Sequence, residues 1–237
     1  MTLKKISIWC MIALIVFSFS IFFMLLNINF IISDENYFHK EFAKYGVYDT
    51  LNGYDVDAIN KDVLDFINSN EWEYLESDFF TPREISHLSD VKNLIGFGRI
   101  FLLASFGVSV LLGIILFFLD RKPFLRRIFF WLLWAGILIL ALNLFLVLSI
   151  SLNFDFAFDK FHILFFPDGS WLFNPYVERI VVLYPEALFY DFGERIVAWD
   201  MFIGIILIIV SGGWLLMNVF RRRSKNNSAR IHPREDF

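Results

Sequence analysis

Four long, mainly apolar runs, at residues 6–32, 95–119, 128–150 and 201–220, constrain this chain more than any other feature. Each holds the roughly 20 residues that a helix needs to cross a hydrocarbon layer about 30 Å thick. A content of 57% hydrophobic and 19% aromatic residues, far above that of ordinary soluble domains, points the same way. The expectation is an all-α membrane protein, a single integral membrane domain over residues 1–237. Its four transmembrane helices are joined by two extracytoplasmic loops, 33–94 and 151–200, that carry short interfacial helices and some extended structure.

The first run follows Lys4 and Lys5, as a signal peptide would. Its apolar stretch is about twice the usual length of a signal core and no A-x-A cleavage pattern follows, so it reads as a retained helix. Cys10 has no second cysteine with which to pair and reads as a small membrane-embedded residue. Lysine and arginine set the orientation. The N-terminus, the loop DRKPFLRR and the tail 221–237 are basic. The two long loops hold 5 basic against 14 acidic residues and 3 against 8. Both termini are therefore expected in the cytoplasm, with the long loops outside. The acidity of the chain belongs to those loops and gives no reason to expect nucleic acid as a partner.

In the first loop, YFHKEFAKYGVYDTLNG predicts an amphipathic segment at the membrane surface ending in an Asn-Gly turn. The spacing of Ile59, Val63, Phe66 and Ile67 predicts a short helix with one apolar face. TPREISHLSDVKNL then marks a helix start, with Thr81 as N-cap, Pro82 at the first helical position and Glu84 able to close a capping box. From there Glu84, His87 and Asp90 share one face, on a helix able to continue into the second span. In the second loop, the alternation of Phe154, Phe156 and Phe158 predicts an extended piece, and Pro167 and Gly169 a turn. Pro185 opens a further interfacial helix that leads into the last span.

His39 and His232 lie in charged, solvated stretches and read as surface residues. His87 and His162 sit in partly apolar settings at the same expected depth. Together, with Asp90 and Asp168 near in sequence, they point to a functional pair. A metal site on His87, Asp90 and His162 lacks the spacing of known zinc motifs. No phosphate loop, G-x-S-x-G elbow or H-E-x-x-H element is present. No metal or cofactor is expected.

Four spans, two outer loops, E-x-x-H-x-x-D-V-K at Glu84 to Lys92 and F-H-x-x-F-F-P-D-x-x-W-x-F-N-P at Phe161 to Pro175 resemble the bacterial lipoprotein intramolecular transacylases, called Lit. The resemblance implies an acyl transfer from the sn-2 ester of a lipoprotein's diacylglyceryl-cysteine to the α-amine of that cysteine. The product is an N-acyl, S-monoacylglyceryl lyso form. The partners would be diacylated lipoproteins and membrane lipid. An α-ammonium with a pKa near 8 must lose a proton to attack, and the departing glyceryl oxygen must gain one, both suited to imidazole. His87 and His162 are thus the expected catalytic pair. The other expected roles are orientation of His87 by Asp90 or Glu84, orientation of His162 by Asp168, and oxyanion donation by Trp171, Asn174 or backbone near Pro167 to Gly169. Rival readings are a membrane sensor or assembly protein without chemistry, a metal-dependent membrane hydrolase and a transporter. A transporter would set charges facing one another inside its spans, whereas Arg99 and Asp200 lie near span ends.

Overall fold

The computed structural model describes residues 3–69, 75–119, 121 and 123–231, which leaves His232 outside the described residues. The helices are α1 (Leu3–Ile32), α2 (Glu35–Lys44), α3 (Val47–Thr50), α4 (Val56–Asn68) and α5 (Pro82–Leu119). They continue with α6 (Phe124–Leu152), α7 (Phe154–Phe165), α8 (Ile180–Leu183) and α9 (Glu186–Ile231). No strand forms among the described residues. The four apolar runs fall within α1, α5, α6 and α9, each long and apolar enough to cross a membrane. Both α5 and α9 begin well before their apolar runs and enter them unbroken.

The chain divides into two compact units. The first contains residues 1–22, 105–142 and 200–237. Its helices have little hydrophobic force to drive them together in lipid and rely on close packing and small polar groups. Ser18 and Ser109 share a hydrogen bond of 2.8 Å, and the Ser20 hydroxyl donates to the carbonyl of Ala135 at 3.2 Å. The closest approach is made at glycines. A Cβ added at Gly136 on α6 would stand 2.7 Å from the Gly204 carbonyl oxygen on α9.

The second unit contains residues 23–104 and 143–199 and carries the main buried core. Here α2 begins at Asp34, whose carboxylate accepts the Tyr37 N–H at 3.2 Å, and α4 begins at Asp55, which accepts from Ala58 at 3.0 Å. The apolar face of α4 is buried as its spacing predicts, through Val63, Phe66 and Ile67. By contrast, α2 turns Tyr37, Phe38 and Phe42 into the protein rather than toward a membrane surface, packing with Leu183 and Leu188. Burying Phe42 completely contributes about 2 to 3 kcal/mol. Polar ties fix the frame. Arg195 on α9 donates to Asp34 at 2.7 Å, the Tyr37 hydroxyl donates to the Leu188 carbonyl, and Arg99 on α5 donates to Asn29 at 2.9 Å and to Asn68.

The stretch after α6 corrects the sequence expectation. Residues 154–165 form helix α7 rather than an extended piece. Asn153, itself extended at φ −166°, accepts the Phe156 N–H at 3.0 Å and starts the helix. Rings four residues apart then pack along it at tilted angles, Phe154 on Phe158 at 5.7 Å and Phe158 on His162 at 4.3 Å. Three alternating phenylalanines are too short a pattern to outweigh an N-cap and these i,i+4 contacts.

The glycine contact yields a packing test. Gly136→Leu should destabilise the protein by about 1–3 kcal/mol, the usual cost of overpacking, because the atom that blocks it is backbone. Gly113→Ala, with nothing within 4 Å, serves as the control and should unfold like wild type in thermal melts in detergent.

Candidate active site

The site is assembled within the second unit from the start of α5, the end of α7 and the segment that follows α7. At the start of α5 the expected capping box forms. The Thr81 N–H donates to Glu84 Oε2 at 2.6 Å and the Glu84 N–H faces the Thr81 hydroxyl at 3.4 Å. Glu84 is 0% exposed, and its second oxygen, Oε1, accepts the Ile180 N–H at 2.6 Å where α8 begins. Both oxygens of Glu84 are therefore held by backbone, which removes it as the residue that orients His87.

His87 lies one turn further along α5 and is 7% exposed. Phe166 and Phe173 pack on its ring at 4.8 and 5.3 Å between centroids. His162, near the end of α7, is 8% exposed and stacks against it, with centroids 6.3 Å apart and the planes 25° from parallel. Trp171 stacks on the other partner, His162, at 5.7 Å and 27°. The two histidines expected to act together are thus brought together across 75 residues of chain, in a wall of aromatic rings.

Their hydrogen bonds differ. His162 Nδ1 lies 2.7 Å from the Phe158 carbonyl oxygen. A carbonyl can only accept, so Nδ1 carries the proton and the neutral ring presents a lone pair at Nε2. The expected partner Asp168 is exposed and makes no hydrogen bond to His162; the helix backbone one turn back has taken its place. His87 Nδ1 is buried and has no hydrogen-bond partner among the described residues, so Asp90 does not orient it either. Asp90 is half-buried, and burial raises its pKa. Asn174 spends its side-chain oxygen on the Tyr176 N–H at 3.0 Å, which makes it a turn former. No group of three or more His, Cys, Asp or Glu is placed to hold a metal ion among the described residues.

The apolar run of α5 begins at Ile95, beyond this site. Burial lowers the pKa of His87 to about 4, helped by the neighbouring His162 and then by Arg83. Burial also lowers that of His162, opposed by its bond to the Phe158 carbonyl and by Asp159. Burial thus favours the neutral form of both rings.

Two residues went unnoticed in the sequence. Arg83, one helical turn before His87, donates through Nη1 to Glu178 Oε1 at 2.8 Å. Through Nη2 it donates to the carbonyls of Gly169 at 3.0 Å and Leu172 at 2.7 Å. Glu178 is buried, and its other oxygen accepts the Asn174 N–H at 2.7 Å. The i,i+4 spacing of Arg83 and His87 was the available signal for the first; nothing local marks Glu178.

Fold and site together define a four-span helical membrane protein built around a buried pair of imidazoles. The chain belongs to the lipoprotein intramolecular transacylase Lit family, whose model matches residues 13–189. An uncharacterized protein of Aquifex aeolicus (strain VF5) is 35% identical over 133 residues, 56% of this chain; the match likewise spans only about half, 56%, of that relative. The fold is similar to that of the membrane integral lipoprotein intramolecular transacylase Lit from Bacillus cereus, with a TM-score of 0.79 at 18% identity over 92% of this chain and 99% of that one. A form of the same Bacillus cereus protein with one histidine replaced by arginine gives 0.75, over 93% of this chain and 96% of that one, again at 18% identity.

The depressed pKa of His87 predicts a pH-dependent stability. Between about pH 4 and 6.5 the unfolded chain binds a proton at this residue that the folded chain does not, so stability falls as pH is lowered through that window. The full effect is on the order of 3 kcal/mol. His87→Phe should remove this part of the dependence, seen as a smaller drop in melting temperature between pH 7 and pH 4 than in wild type.

Proposed function

We propose that this chain is a lipoprotein intramolecular transacylase that moves the sn-2 acyl chain of a diacylglyceryl-cysteine lipoprotein to the cysteine α-amine, with His87 and His162 as its catalytic residues. The observation that carries the reading is the stacked, buried histidine pair in a chain of this family. The amine nitrogen attacks the ester carbonyl carbon, and a proton leaves the amine as the C–N bond forms. His162 takes it, because its Nδ1–H is fixed by the Phe158 carbonyl and Nε2 is left as the acceptor. The carbon–oxygen bond to glycerol then breaks, and the same imidazolium returns the proton to the departing oxygen. The pair is thus unequal. His87, whose pKa burial holds down to about 4, acts as a neutral N–H donor to the tetrahedral oxyanion, where a fixed dipole in a dry site has its largest effect.

Both reacting groups belong to one molecule, so the protein chiefly folds the headgroup back on itself. Conversion of an ester to an amide is downhill and needs no cofactor. On this reading both termini are cytoplasmic and the site faces outward at the membrane interface, where a diacylated lipoprotein holds its chains in lipid and its peptide outside. The exposed apolar side chains of α7, among them Phe161, Leu164 and Phe165, support the reading by offering the acyl chains a wall next to His162.

Mass spectrometry of a model lipoprotein's N-terminus provides the test. His162→Ala and His87→Ala should each insert and fold yet yield no lyso form, a loss of at least about 10²-fold for the base. Product at wild-type levels from both variants would refute the assignment. Cysteine placed at Ser170 should be labelled by an impermeant reagent from outside the cell; labelling only from the cytoplasmic side would invert the topology.

A further inference from the structure

Arg83 is 47% exposed at its side chain, so it would be expected to point into solvent as a surface cation; instead its guanidinium is shared among three acceptors on one loop. Those acceptors, Gly169, Leu172 and Glu178, bracket the loop of residues 167–178. That loop has almost no regular structure. It is a series of turns, in which the Ser170 N–H donates to the Pro167 carbonyl, Leu172 to Gly169, and Val177 and Glu178 to Asn174. Turns of this kind hold their own shape but fix no position against the rest of the protein. Two of the loop's side chains nevertheless form walls of the histidine site: Trp171 stacks on His162 and Phe173 packs on His87. The guanidinium also lies 4.9 Å from the Phe173 ring.

We propose that Arg83 is a positioning residue for the transacylase reaction: by bridging Gly169, Leu172 and Glu178 it clasps the 167–178 loop to the start of α5, and so holds Trp171 and Phe173 against the two imidazoles. This rests on the reading of the histidine pair given above. The guanidinium fits the task because its planar fork donates in two directions at once; an ammonium of the same charge presents a single point and cannot span a carboxylate and two carbonyls together. Glu178 is the matching anchor, since it accepts from Arg83 on one oxygen and from the loop's own Asn174 N–H on the other. The next residue of α5, Glu84, secures the chain just beyond the loop, at Ile180, so the loop is held at both sides from a single helix end.

The experiment uses the full-length protein in detergent, with a synthetic diacylated lipopeptide as substrate and two readouts, amide hydrogen exchange and turnover. In Arg83→Lys and Arg83→Gln, exchange should speed up about tenfold or more at the amides of residues 170–178 and stay unchanged in α4. Turnover should fall about 10- to 100-fold in kcat, the usual cost of misplacing a site by an ångström, with KM within about threefold. The failure of lysine to rescue separates the fork from the charge. Unchanged exchange in the loop overturns the clasp, and faster exchange with wild-type kcat overturns its role in the reaction. Should either Arg83 variant fail to fold, Glu178→Gln leaves the guanidinium its two carbonyls and must still loosen residues 174–178; wild-type exchange there also overturns the clasp. A wild-type protein that makes no lyso product would defeat the transacylase reading instead, and loop exchange would still decide the clasp.

Discussion

A buried carboxylate needs hydrogen-bond donors for both oxygens, and Glu84 finds them in two backbone N–H groups from segments almost a hundred residues apart. That single buried group starts the helix that carries His87 and pins the chain where α8 begins. With Arg83, it joins the N-terminal turn of α5 to the return from α7 toward α9. The rest of the site is arranged around this junction. His87 is placed one turn along the helix it initiates, and Arg83 one turn before His87. Glu84 itself is poorly suited to tune an imidazole, because both of its oxygens are already engaged in holding the backbone.

The aromatic wall solves a different problem. Burial among rings favours an uncharged imidazole more simply than any charged neighbour could, which is what the proposed reaction asks of the pair. Phe158, Phe166, Phe173 and Trp171 remove water from the pair while leaving the choice of tautomer to one backbone carbonyl. A carboxylate at His162, as in a hydrolytic triad, would raise its pKa; Asp168 is exposed and does not serve as one.

Much of this was legible in the sequence, for reasons that can be named. The spans follow from length and apolarity alone, and the start of α5 from the Thr-Pro-x-Glu signature. His87 and His162 stood out because ionisable groups in apolar settings are costly, and each is set in such a stretch. Other parts were not legible. The Phe-Asp-Phe-Ala-Phe alternation is two-residue periodic over only five positions, and the cap that makes it helical, Asn153, lies just outside. Glu84 was read both as a cap and as a partner for His87, although one carboxylate cannot serve both once its second oxygen is claimed by Ile180. The ion pair of Arg83 with Glu178 joins residues 95 apart in sequence, and no local pattern announces a contact of that range.

The unbroken course of α5 has one more consequence. His87 stands eight residues before Ile95, where the apolar run begins, and helix geometry turns that count into a fixed distance of about 12 Å along the axis. A rigid rod with an imidazole at a set height above its greasy portion is a depth gauge. On the proposed transacylase reading the ester must present itself at that height, so the way the span seats in the bilayer becomes a variable of the reaction itself.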